Sequence, residues 1–209
     1  MMREHEVRKS FPLQSTLPQG LGLRGLALRD ASQLRTILQQ NEDIRRFLGY
    51  ATFASQGEAS WFVRSIHAQE RANTARWWAI VDHDRLVGAV FFIRLELSPS
   101  RWGQRTGTLG YWLDSAYRNK GVTTAAARRV LELGFSQWKL HKVKIGHVQS
   151  NAASRAVITK MGFRRVGIER KEFHWHGRWM DHFLYELLAA EWQRQPTAAA
   201  LSPFNHIAG

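Results

Sequence analysis

Tyr117-Arg118-Asn119-Lys120-Gly121-Val122-Thr123-Thr124-Ala125-Ala126-Ala127-Arg128-Arg129-Val130-Leu131-Glu132-Leu133-Gly134-Phe135 is a basic, glycine-containing turn that runs straight into an amphipathic helix. Ala126, Ala127, Val130, Leu131, Leu133 and Phe135 share a wide apolar face, while Arg128 and Glu132 stay outside. Just before the turn, Thr108 to Leu113 is rich in β formers and alternates, with Leu109, Tyr111 and Leu113 on one side. The order is strand, basic turn, helix. Backbone N–H groups at a helix start are unpaired, and the helix dipole adds to their pull on an anion. Gly121 lets a ligand approach the backbone, and Arg118 and Lys120 add charge. The stretch predicts a phosphate cradle, although basic turns before helices are also ordinary surface. Neither G-x-x-x-x-G-K-[ST] nor G-x-G-x-x-G occurs there.

Composition narrows the class. The chain has 209 residues, 44% hydrophobic and 22% charged, which predicts one globular domain with a sizeable core. Cysteine is absent, so disulfides and thiolate metal sites are excluded. The histidines lack metal-ligand spacing, and no metal is expected. No apolar run approaches a membrane span, and the start lacks a signal-peptide stretch. A cytoplasmic location is the default expectation. Thirty Lys and Arg against 17 Asp and Glu give +13, a balance drawn to nucleic acid, ribosomes or a polyphosphate ligand. The charges are scattered and form no nucleic-acid motif.

Residues 1–20 read as an N-terminal arm and residues 193–209 as a C-terminal tail, with one domain over 21–192. Leu21 to Leu28 suggests a first strand. Asp30 is placed to cap a helix holding Leu34, Ile37 and Leu38, and Asn41 to Leu48 continues as a second. Ser55 to Glu58 has capping-box spacing and opens a helix expected to bury Trp61, Phe62 and Ile66, with Val63 as a further candidate. Trp77–Val81 and Leu86–Ile93 form a hairpin, and Ser98 to Arg105 is a loop. Lys142–Val148 is a strand. Asn151–Met161 is a helix with Ala152, Ala156, Val157 and Met161 available for packing. Arg164–Trp175 and Trp179–Leu188 are the last two strands. Strands alternating with helices beside hairpins indicate a mixed α/β sheet.

Several stretches resemble the GNAT acyltransferases in register. The basic turn is similar to their R/Q-x-x-G-x-G/A pyrophosphate loop, with Thr123 in the final Gly/Ala position. Leu109-Gly110-Tyr111-Trp112-Leu113 resembles the strand before it. Asn151-Ala152-Ala153-Ser154-Arg155 with Met161-Gly162-Phe163, and Gly177 to His182 with Leu184 to Leu188, resemble the RimJ/RimL branch. The resemblance covers roughly residues 21–192. It implies a largely antiparallel twisted sheet with helices on both faces and one splayed parallel strand pair, where the pantetheine of acetyl-CoA enters.

The resemblance also assigns roles. Trp112 and Leu113 would pair with the pantetheine. Arg118, Asn119, Lys120, Gly121, Val122, Thr123 and Thr124 would hold the pyrophosphate. Ser154 would hydrogen-bond or protonate the departing thiolate, with service to the helix backbone as its plain alternative. Asn151 is a helix N-cap that also borders CoA. Ile158 stands where many relatives carry a tyrosine acid, and Thr108 where many carry a glutamate. Glu172 is the first choice of general base, ahead of Glu169, His174 and Asp181. Asp181 would bind the acceptor or hold the last hairpin. Trp175 and Trp78, with Trp61 and Trp77, are candidates for an acceptor pocket or for core.

The activity implied is transfer of an acetyl group from acetyl-CoA to a protein N-terminal α-amine of the ribosomal-protein type. An α-amine is already roughly 10–20% neutral at pH 7, whereas a lysine is almost wholly protonated. Alternatives are a small amine or antibiotic acceptor, or an RNA- or ribosome-binding module without turnover. A homodimer is the commonest assembly.

Overall fold

The computed structural model describes residues 17–48, 53–97 and 105–195. Seven strands run β1 (Gly22–Gly25), β2 (Arg76–Asp82), β3 (Arg85–Glu96), β4 (Thr106–Leu113), β5 (Lys142–Val148), β6 (Arg164–Trp175) and β7 (Arg178–Leu188). They form one sheet in the order β1-β2-β3-β4-β5-β7-β6. Every neighbouring pair is antiparallel except β4 with β5, which is parallel. The mixed α/β architecture anticipated above is the observed one. Of the expected loop from Ser98 to Arg105, residues 98–104 lie outside the described residues.

Helices cover both faces, which is why the central strands are apolar throughout. On one side lie α1 (Ala31–Gln40), α2 (Glu42–Leu48) and α3 (Gln56–Arg71). Leu34, Ile37, Leu38, Val63 and Ile66 pack there against Trp77, Phe91 and Trp112. On the other lie α4 (Val122–Ser136) and α5 (Ala152–Lys160), whose Ala126, Val130, Leu131 and Ile158 meet Phe92, Leu109, Leu113 and Ile145. The β2–β3 connection is a two-residue turn, His83-Asp84, with φ of 45° and 71°, the geometry that matches strand twist in a hairpin. A Cβ at Gly110 would run into the Phe91 ring, which lies flat on Trp77 at 3.8 Å.

Local chemistry corrects several expectations. Ser55 Oγ accepts from Glu58 N–H at 3.1 Å, as capping-box spacing predicts, while Glu58 reaches one residue further back to Ala54 N–H at 2.8 Å. Trp61, expected inside, is 68% exposed, whereas Val63 and Ile66 are buried as expected, with Ala59 beside them. Asp30 does not cap α1, because Arg24 and the Ala27 N–H take its carboxylate at 2.7 and 2.8 Å. Ala152 and Ala156 are exposed; Ile158 of α5 and Met161 just after it are fully buried, and Val157 packs against the same core, as expected. Leu17 is buried in the main core, and Trp192, the last residue of the expected 21–192 span, stacks on Phe135.

Candidate functional site

The site begins where one hydrogen-bond ladder stops. β4 and β5 pair only at Thr106 with Lys142, Gly107 with Val143 and Thr108 with Lys144. Beyond those three pairs the strands part, and Leu109–Leu113 faces Ile145–Val148 across a groove of about 440 Å³. Facing backbone edges without a ladder need partners from elsewhere.

One end of the groove is the start of α4. Asn119 and Gly121 have φ of 62° and 76°, and the left-handed turn they build aims the chain into the helix. No side chain caps α4. A 15-residue helix therefore presents its first N–H groups and positive dipole end to the groove, beside Gly121, Val122, Thr123 and Thr124. The preceding turn is firmly held. Asp114 Oδ1 accepts from Ala116 N–H at 3.2 Å, Asn41 Oδ1 from Ser115 N–H at 3.2 Å, and the Tyr117 hydroxyl donates to Asp82 at 2.7 Å. That last bond, then His83, holds the Asp82 carboxyl below the usual range. Arg118 lines the groove with its charge engaged: Nε donates to Leu113 O at 3.1 Å and Nη1 to Asp43 at 3.0 Å.

At the other end, α5 presents Ser154. Its backbone N–H is taken by Asn151 Oδ1 at 3.0 Å, so the serine hydroxyl is not needed as a cap. Ser154 Oγ instead lies 3.1 Å from the Tyr111 hydroxyl, across the opening between the parted strands. Burial pushes Tyr111 up to about 12, against a smaller opposite pull from Ser154, so its hydroxyl keeps its proton at neutral pH. Asp43, Ile44 and Phe47 of α2 form a third wall, and Asp43 is the one carboxylate among the described lining residues. His147 also lines the groove. Its Nδ1–H donates to Val148 O at 2.8 Å and its Nε2 accepts from the Tyr185 hydroxyl at 3.1 Å. Burial pushes His147 below the usual histidine range.

Every residue expected to contact CoA lines this groove except Lys120, whose ammonium turns out to Ala116 O at 3.3 Å. Acceptor expectations fare differently. Trp78 is only 6% exposed and stacks on Trp138, so it is core. Glu172 is exposed on the outer strand β6 and lines no part of the groove. Asp181 accepts from Lys171 N–H at 2.9 Å, bracing the irregular stretch between Glu169 and Phe173. Trp175 lines a second recess, at the β6–β7 tip. Tyr111, Asp43, Phe47 and His147 were not singled out from sequence. Tyr111 alternates with Leu109 and Leu113 and reads as core until the ladder's end is known.

A family model described as acetyltransferase (GNAT) domain matches residues 21–164. The chain belongs to the GNAT acetyltransferase family. Among curated GNAT relatives, Probable N-acetyltransferase YjcK of Bacillus subtilis (strain 168) is 36% identical over 105 residues, 50% of this chain and 56% of YjcK. The chain thus spans little more than half the length of that relative. The structure of Mycobacterium smegmatis RimJ in complex with CoA-disulfide superposes with a TM-score of 0.74 at 26% identity, over 87% of each chain. RimL, a ribosomal L7/L12 alpha-N-protein acetyltransferase in complex with coenzyme A, gives a TM-score of 0.74 at 19% identity, over 86% of this chain and 98% of that one.

Proposed function

We infer that this GNAT chain transfers an acetyl group from acetyl-CoA to the α-amine of a protein N-terminus. The observation that carries the reading is the continuous groove from the uncapped start of α4 to the Tyr111–Ser154 hydroxyl pair. Acetyl-CoA supplies an activated thioester. The N–H groups and dipole of α4 suit its pyrophosphate, and the parted edges of β4 and β5 suit the amides of its pantetheine arm. Either hydroxyl can donate across the 3.1 Å contact; with Tyr111 as donor, the serine hydrogen would be free to point at the sulfur as C–S cleavage leaves a thiolate.

Acceptor choice follows from what the groove lacks. Its one described carboxylate, Asp43, is paired with Arg118, so no free carboxylate stands ready as a base. An amine with an appreciable neutral fraction at pH 7 suits such a site better than a lysine does. That RimL acts on a ribosomal protein's α-amine agrees with this choice. In this reading no proton passes to Glu172.

The test is CoA release followed with a thiol reagent, which meets no cysteine in the protein. N-terminal peptides, polyamines and aminoglycosides are offered in parallel. Peptide-dependent release, lowered about 10- to 100-fold in kcat by Ser154→Ala, is the expected result. Release with small amines alone would overturn the α-amine assignment, and an absence of both release and acetyl-CoA binding would overturn the transferase reading.

A further inference from the structure

We propose that the recess beside the groove selects acceptors carrying an anionic side chain close to the reactive amine; this rests on the acetyl-transfer reading above. The recess encloses about 570 Å³ between α2, the residues after β5 and the β6–β7 tip. Consecutive residues connect it to the groove. Asp43 and Phe47 of α2 line the groove, while Glu42 and Arg46 line the recess. Ser150 lines the recess, and Asn151 and Ser154 line the groove. One helix therefore stands between the two spaces. A helix with its side chains is about 10–12 Å across, and an extended peptide advances about 3.3–3.6 Å per residue. Residues 2 to 4 of an acceptor with its amine in the groove would cross α2 into the recess.

The formal charges there are two arginines against one glutamate. Arg46 and Arg178 line the recess, and among the described residues neither is paired with a carboxylate. Arg46 Nη2 reaches Ser150 Oγ at 3.3 Å and its guanidinium lies over the Phe47 ring at 5.3 Å, while its Nε is buried with no hydrogen-bond partner among the described residues. A carboxylate in the recess would give the Arg46 guanidinium a charge-assisted bond in place of its neutral serine partner. Trp175 and Trp179 supply the apolar flank, Trp179 being 61% exposed beside the His174 ring. Glu42, at the same recess, is the single opposing charge among the residues that line it. A polyamine would set its own ammonium groups against two unpaired arginines.

The experiment uses the intact protein saturated with CoA and isothermal titration with acetylated product peptides. These are acetyl-Ser followed by Ala residues, with Glu, Gln or Lys placed at position 2, 3 or 4. At one or more positions the Glu peptide should bind about 10- to 100-fold tighter than its Gln counterpart, the range of a charge-assisted bond, with Lys weakest. Arg46→Met and Arg178→Met should each shrink the Glu-to-Gln ratio, and Arg178→Glu should turn it toward Lys. Equal binding at all three positions, or preference for Lys or for spermidine, overturns the proposal. A ratio unmoved by all three variants overturns it as well. Titration of acetyl-CoA alone separates the two ideas: absent acetyl-CoA binding condemns the transferase reading, whereas intact binding without charge preference condemns only the recess.

Discussion

Two helix starts border the same groove and are finished in opposite ways. α5 is closed by its own sequence, with Asn151 Oδ1 on the Ser154 N–H at 3.0 Å. α4 is left open, with Gly121 at its head and no side-chain cap. Helix-start N–H groups need acceptors, and the uncapped start of this 15-residue helix leaves them to water or to a ligand in the groove that its first residues line. The closed end has its own consequence. Because Asn151 does the capping, the Ser154 hydroxyl is released to meet Tyr111. On the proposed reading, one helix would offer its backbone to acetyl-CoA and the other a side chain.

The strongest way to break this contrast is to make α4 resemble α5. Gly121→Asp places a carboxylate where the anion should sit, and nothing lies within 4 Å of a Cβ there to forbid it. The residue keeps a φ of 76°, a region that aspartate tolerates better than most. Acetyl-CoA affinity by calorimetry should fall on the order of 100-fold, with thermal stability little changed. Retained affinity would mean that the open end of α4 is not the phosphate site.

Tyr111 gives the next largest effect, and its sign can be worked out. Its folded pKa is raised to about 12, above the ordinary value near 10, because burial disfavours the phenolate. Between those two values the unfolded chain loses the proton and the folded chain keeps it. The contribution is therefore fully present below about pH 10 and is lost as pH rises toward 12, by roughly 2–3 kcal/mol for two pH units. Tyr111→Phe should remove this loss. Urea unfolding of wild type and variant from pH 9 to 11.5 should show stability curves that converge as pH rises. Parallel curves would place Tyr111 in contact with water and break the hydroxyl pair.

How much of this was legible in the residues depends on how local each feature is. The α4 turn, the Asn151 cap and the Ser55 cap follow from neighbours within four positions, and periodicity shows the strands. The resemblance named the splayed pair, but the three-residue ladder that ends at Thr108 and Lys144 is a relation between segments far apart. Tyr111 therefore read as one more apolar-face residue. Trp78 was the opposite error. A large aromatic in a strand was weighed for a pocket, although the sheet position that buries it under Trp138 decides its role. Glu172 failed for the same reason, since being on the last hairpin does not say which edge faces the groove.

Removing the closed end is gentler than filling the open one. Asn151→Ala takes away the Ser154 N–H acceptor and should cost about 1 kcal/mol, or a few degrees in Tm. The orphaned N–H then competes for a hydroxyl nearby, so kcat should fall more than acetyl-CoA affinity does. Asn151→Asp, which keeps the acceptor, should restore the stability. An equal fall in affinity and kcat would assign Asn151 to CoA binding and not to holding Ser154.

The smallest effect concerns the charge tethered beside the open end. Arg118 borders the cradle but is bound to Asp43 at 3.0 Å, in a pair where Asp43 is 58% exposed. Exposed ion pairs are worth about 0–1 kcal/mol, so releasing the guanidinium can change affinity only modestly. Asp43→Asn should tighten acetyl-CoA binding by up to about fivefold at low salt, a gain that disappears near 0.5 M salt as screening grows. Weaker binding in this variant would mean that Asp43 holds Arg118 where the ligand needs it, and the tether would then be part of the cradle. A salt-independent gain would instead point to a change in the fit of α2 against the groove, because a released charge must answer to ionic strength.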